Sequence, residues 1–230
     1  MLFRSASIEN ASGFCGEDEP LQKGLERFER FYQKAGKIAY ISLTWNDENR
    51  FGGGNATDIG LKPDGLELLK WMKGKKIAID LSHTSDRLAR DILGAIEKLG
   101  IIPVASHSNF RAVANHPRNL PDDLAKEVGA RGGLLGINFV RVFLGGKGPE
   151  DFLRQLEHAD KLKLLDHLCF GADFFMEHDM PPELQYLLPM FIPGFDTSAC
   201  YPKVIELFLK HLPHDIVEKI AFRNLKRFIS

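Results

Sequence analysis

The sequence predicts an α/β fold of the (β/α)8 TIM-barrel type, with about six of the eight β/α units present. Short β-branched, apolar runs alternate with segments of helical spacing, the pattern of parallel strands joined by helices. The units recur every roughly 25–38 residues, as such a barrel requires. Each run also ends in polar residues, at the strand ends where this fold places its chemistry.

The weakest strand comes first, residues 2–9 (LFRSASIE). Stronger runs are 38–44 (IAYISLT), 77–83 (IAIDLSH), 101–107 (IIPVASH), 133–139 (GLLGINF) and 168–174 (LCFGADF). They are apolar throughout rather than strictly alternating, which is expected of strands buried on both faces. Helices are predicted over 21–35, 64–73, 121–129, 149–165, 201–212 and 215–228. Another spans 85–99, with Ser85 as its N-cap. Residues 52–54, three glycines, read as a flexible loop tip, and 180–196, with four prolines, as a long loop. No linker or composition shift divides the chain, so residues 1–230 are expected to form a single, incomplete barrel domain comprising strands three to eight.

Composition narrows the function. The 30 basic and 31 acidic residues nearly cancel, which argues against a nucleic-acid partner. No apolar run approaches the roughly 20 residues of a membrane span, and the start lacks the pattern of a secretory signal. The three cysteines, Cys15, Cys169 and Cys200, form no CxxC pair and read as reduced, partly buried thiols. A cytoplasmic protein acting on a small molecule or a protein partner is the expectation, and a homodimer is compatible with it.

The strand ends carry Glu9, Trp45-Asn46-Asp47, His83, Ser106-His107, Asn138 and Asp173. Two imidazoles with carboxylates are what a zinc hydrolase gathers. His83 and His107, each taken alone, read as structural histidines. Both, however, follow an apolar strand and a serine at equivalent places in successive units, and adjacent parallel strands lie about 4.8 Å apart. As a pair they read as metal ligands. Asp173 reads equally as a helix N-cap or turn former, Glu9 as a solvated carboxylate, and Arg118 as a partner of Asp122 or Asp123. His116, His158, His167, His178, His211 and His214 read as surface residues.

These residues lie in segments that resemble the renal (membrane) dipeptidase family, peptidase family M19 of the metallo-dependent hydrolases. IAIDLSHTS is similar to its fifth-strand signature, and PVASHSNFRAVANHPRNLPDD to its sixth. IAYISLTWNDEN, GGLLGINFV, HLCFGADFF and the closing IAFRNLKRFI match other strands and the last helix in the same order. The resemblance implies that Glu9 is the carboxylate bridging two zinc ions and that His83 and His107 hold the second ion with it. Arg118 would grip the substrate's terminal carboxylate, for which a planar guanidinium is suited. Asp173 would bind the substrate's amino end and accept the proton from the attacking water. Trp45 and Asn138 would line the substrate pocket, and Trp45, where mammalian members carry histidine, marks a bacterial-type member.

No histidine precedes His83, and Met1 lies about one strand before Glu9. The family's first-strand His-x-Asp pair is therefore missing from these residues, and one zinc at most is expected. The implied activity is hydrolysis of dipeptides by a zinc-activated water. Two alternatives stand beside it: an impaired or inactive homologue acting as a binding protein, and a related metal-dependent hydrolase of another small amide.

Overall fold

The computed structural model describes residues 6–180 and 182–230. It contains two compact units, Met1–Val104 and Ala105–Ser230. In the first, β1 (Ala6–Ile8) is followed by α1 (Leu21–Ala35), β2 (Ile38–Ser42), α2 (Pro63–Met72), β3 (Ala78–Asp80), α3 (Asp86–Ile96) and β4 (Pro103–Val104). The strands form one parallel sheet in the order β1-β2-β3-β4. Of the predicted first strand, residues 2–5 lie outside the described residues.

Burial explains the apolar strands. Ile38, Ile41, Ile79 and Val104 are all buried, and Ile41 pairs with Ile79 across the sheet. The helices bury one face each. In α3, Leu88, Ala89, Ile92, Leu93 and Ile96 are the buried residues, at the helical spacing that predicted them. Ser85 caps that helix: its Oγ accepts from Leu88 N at 2.9 Å and donates to Ile59 O at 2.6 Å. Phe28 of α1 stacks on Phe14 at 4.6 Å and meets Trp71 of α2 at 4.7 Å, giving this unit an aromatic centre.

The second unit runs α4 (Asp122–Ala130), β5 (Leu135–Ile137), α5 (Arg141–Leu144), α6 (Glu150–Lys161), β6 (Leu168–Phe170), α7 (Tyr201–Leu209), α8 (His214–Glu218) and α9 (Asn224–Ile229). Strands β5 and β6 pair in parallel, and Ala105 forms a parallel bridge with Leu135. Phe139 is the hub of this core, with the rings of Phe152, Phe174, Phe170 and Tyr201 within 5.9 Å.

Three expectations are corrected. Residues 52–54 are not a loop tip: all three glycines are buried, because neighbouring chain passes where side chains would stand. A Cβ on Gly54 would lie 2.0 Å from Trp45 O. The last helix is not uniform: α8 and α9 are joined by a wider π turn, Lys219–Arg223. The strands are also shorter than their apolar runs, because the polar residues at their ends leave the sheet as turns.

Candidate functional site

In the first unit the polar strand ends converge on His83. The residues after β3 form a tight turn, with Ser82 N donating to Asp80 Oδ1 at 3.0 Å and Thr84 N to Leu81 O at 3.2 Å. His83 itself has φ +67°, a left-handed conformation that is costly for a residue with a Cβ. It is held there by its carbonyl, which accepts from Asn55 N at 2.9 Å and Thr44 Oγ1 at 3.3 Å. The ring is fixed as well. Nδ1 lies 2.8 Å from Asn46 Oδ1, and Trp45, half-exposed, lies over the imidazole at 5.9 Å between centroids.

Glu9 follows β1, where Ile8 is in register with Ile41. The next residue, Asn10, also has positive φ (68°), and its N–H donates to Ser42 Oγ at 2.9 Å. Its Oδ1 accepts from Asn49 Nδ2 at 3.0 Å. So anchored, Glu9 brings Oε1 to 2.8 Å from His83 Nε2. The pair suits a cation. Two donors each about 2.0–2.1 Å from a tetrahedral zinc stand roughly 3.3 Å apart, so a small widening would admit an ion between them. Asn46 behind Nδ1 is the kind of outer partner that orients a ligating imidazole.

In the second unit His107 repeats part of this arrangement. Its Nδ1 lies 2.6 Å from Ser106 Oγ, which leaves Nε2 as the other pole of the ring. The backbone here is exceptionally close. A Cβ on Gly136 would lie 1.9 Å from Ser106 O, and one on Gly171 2.0 Å from the same oxygen. Glycine at both positions lets β5 and the segment before Asp173 pass against the segment that carries His107.

Asn138, fully buried, ties these segments together. Its Nδ2 donates to His107 O at 3.2 Å and to Asp173 Oδ2 at 3.1 Å, while its Oδ1 accepts from Val140 N at 2.7 Å. Asn109 exchanges two further bonds with the Asn138 backbone. Asp173 has φ +60° and neither lies in a helix nor caps one.

Arg118 is buried. Its Cζ lies 5.4 Å from the centre of the Phe143 ring, and Nη2 is 3.5 Å from His107 O. Asp122, one of its two expected partners, instead meets His158 Nε2 at 2.8 Å.

The sequence model of the membrane dipeptidase family (peptidase family M19) matches residues 13–230. The chain belongs to this family. An uncharacterized protein in the pqqA 5′ region of Klebsiella pneumoniae is 33% identical over 76% of this chain and 65% of its own length. The dipeptidase verJ of Clonostachys rogersoniana is 32% identical over 60% of this chain and 36% of its own length. The chain thus spans about two thirds and about one third of these relatives. A crystal structure of a metallopeptidase from Rhodobacter sphaeroides, liganded with a phosphinate mimic of the dipeptide L-Ala-D-Ala, superposes with a TM-score of 0.79. The identity is 23%, with 98% of this chain and 62% of that chain covered. At that identity the likeness concerns the fold, and it agrees with the α/β architecture expected of the sequence.

Within the first unit of this family member, Glu9, His83 and Trp45 come together; within the second, His107, Arg118, Asn138 and Asp173 do. Sequence reasoning counted Asn46 and Ser106 among the polar strand ends without giving them a role, and did not single out Asn109; all three prove to be hydrogen-bond partners of the site residues. It also placed His116 on the surface, whereas the ring is half-buried against Phe143 at 4.7 Å. His158 and His167 are half-buried and bonded too, to Asp122 and to Gly133 O. His178, His211 and His214 are exposed as expected. In the closing helix the Asn-Leu-x-Arg residues are structural. Asn224 Nδ2 donates to Leu165 O and Leu168 O at 2.9 and 2.8 Å, and Arg227 Nη2 to Asp166 O at 2.6 Å.

Proposed function

We propose that this chain is a zinc-dependent dipeptidase, with Glu9, His83 and His107 holding one ion. The observation that carries the reading is the Glu9–His83 pair. A carboxylate oxygen and an imidazole nitrogen stand 2.8 Å apart, with the far side of the ring fixed by Asn46. His107, oriented through Ser106, is the third residue, and each of the three offers one ligand atom. Glu9, His83 and His107 would hold the ion, and zinc there would supply Lewis-acid chemistry, activating a water and polarising a carbonyl.

The protein's own groups supply the rest. Arg118, buried over Phe143, binds the dipeptide's terminal carboxylate, bidentately where the fork of the guanidinium allows. Asp173 binds the amino end and accepts a proton at a carboxylate oxygen, then returns it to the leaving amine. Asn138 holds Asp173 through Oδ2 and keeps that carboxylate turned to its task. Trp45 forms an apolar wall beside His83. Fixing both charged ends limits the substrate to two residues.

Zinc content of the purified chain, measured with turnover of simple dipeptides, tests this reading. About one zinc per chain with hydrolysis is expected. Less than about half a zinc per chain, with no hydrolysis, refutes it for these 230 residues.

A further inference from the structure

Arg118 sits in a loop closed by side chains. Arg111 Nε donates to Asn119 O at 2.9 Å and Arg111 Nη2 to Pro117 O at 3.1 Å. Asn119 Nδ2 donates to Ala114 O and to Phe143 O, both at 2.8 Å, so the loop and α5 are pinned together. His116 stands inside this frame. The Arg118 backbone N–H donates to its Nδ1 at 3.1 Å, and its ring lies against Phe143, the ring that also carries the Arg118 guanidinium. A backbone N–H can only donate, so Nδ1 must be unprotonated and any ring proton must sit on Nε2.

We propose that His116 is the positioning residue for Arg118: its neutral imidazole, accepting the Arg118 N–H and packed on Phe143, fixes the place of the guanidinium. Protonation at Nδ1 removes that acceptor and sets a third positive charge beside Arg118 and Arg111. Among the described residues these two are the charged groups that act on His116; Phe143, packed on it from α5, is uncharged. Burial, reinforced by Arg118 and Arg111, holds His116 below the ordinary histidine range. The neutral form therefore prevails near pH 7, and the arrangement comes apart only on acidification.

The inference deepens the reading of Arg118 as the carboxylate anchor and rests on it for its effect on binding. The test has two arms, both on the full chain. In the first, isotope-labelled protein is titrated by NMR. The Arg118 amide is expected to shift and lose exchange protection together with the His116 ring, below the ordinary histidine range. An Arg118 amide indifferent to that titration overturns the proposal.

In the second arm, calorimetry follows L-alanyl-L-alanine binding with EDTA present, so that no turnover intervenes. His116→Ala is expected to raise Kd about three- to tenfold, the worth of one hydrogen bond. His116→Asn places a side-chain oxygen where it accepts the N–H two residues on, an Asx turn. It is expected to restore affinity and to remove the loss of binding on the acid side. His116→Ala binding like the unaltered chain, or His116→Asn failing to restore binding, overturns the proposal. Should Arg118→Ala itself leave Kd unchanged, the anchor reading fails instead, and the coupled titration of His116 and Arg118 alone decides.

Discussion

Replacing Gly136 by alanine forces a collision that no rotation of a side chain relieves. The new Cβ would lie 1.9 Å from the Ser106 carbonyl oxygen, 2.7 Å from its carbon and 3.0 Å from Gly171 Cα, all of them backbone atoms. Relief requires the chain segments to separate by more than about 1 Å, since carbon–oxygen contacts below roughly 3 Å are strongly repulsive. The bonds that hold them are Gly136 N to Ala105 O at 2.7 Å and Ser108 N to Gly136 O at 2.9 Å. Stretching these buried bonds costs about 1–3 kcal/mol, and overpacking adds about as much again. The expected loss is about 2–6 kcal/mol, a large share of a typical total stability of about 5–15 kcal/mol. Gly94 is the control: it lies exposed in the last turn of α3, and a Cβ there would meet nothing within 4 Å. Gly94→Ala is expected to stabilise by about 0.5–1 kcal/mol through helix propensity. Urea unfolding of the two variants and the unaltered chain measures both changes. Gly136→Ala within about 1 kcal/mol of the unaltered protein, or Gly94→Ala equally destabilised, refutes the close-approach argument.

Asn46→Ala removes the partner of His83 Nδ1, and zinc affinity, read by chelator competition, is expected to fall about 10–100-fold with the fold intact. Asn224→Ala breaks two bonds to the chain around β6 and leaves buried carbonyls unmatched, so a loss of about 1–3 kcal/mol should appear in the urea midpoint. The Arg27 hydrogen bond, aided by the Gly16 N–H, lowers Glu19 to about 2. A carboxylate depressed in the folded state stabilises fully above its unfolded pKa of 4.5, and the contribution is lost as pH falls from there towards 2. Glu19→Gln should therefore lower thermal stability at pH 7, with the difference shrinking below 4.5 and vanishing only below about 2. All three cysteines are buried, and burial pushes Cys169 up to about 12. Thiol reagents at pH 8 should label the chain slowly when native and at all three positions once it is unfolded.

The strands were legible because their buried positions leave short apolar runs, as in IAYI and AI, and the helices because one face repeats every three to four residues, as in α3. His83 and Asp173 were visible as polar residues closing such runs. Their left-handed backbones were not, since nothing local requires φ near +60° in a histidine or an aspartate. The partners stayed hidden for another reason. Asn46 meets His83 across 37 residues of sequence and Asn138 meets Asp173 across 35, so no spacing within a single element announces them. The misreading of residues 52–54 has the same origin. Consecutive glycines signal either freedom or crowding, and only the carbonyl of Trp45 standing 2.0 Å from the missing Cβ of Gly54 decides for crowding.

The amide of Asn138 has two hydrogens, and they are divided between the His107 carbonyl and the Asp173 carboxylate. That division gives His107 and Asp173 a common support. A ligand that draws Asp173 away changes the support under His107, and whatever seizes His107 changes the hold on Asp173. Thermodynamic reciprocity makes the two influences equal in free energy. A single neutral side chain, with no charge of its own to titrate, thus acts as the balance beam of the site. Asn138→Leu would remove both bonds at once, and with them the support that His107 O and Asp173 share.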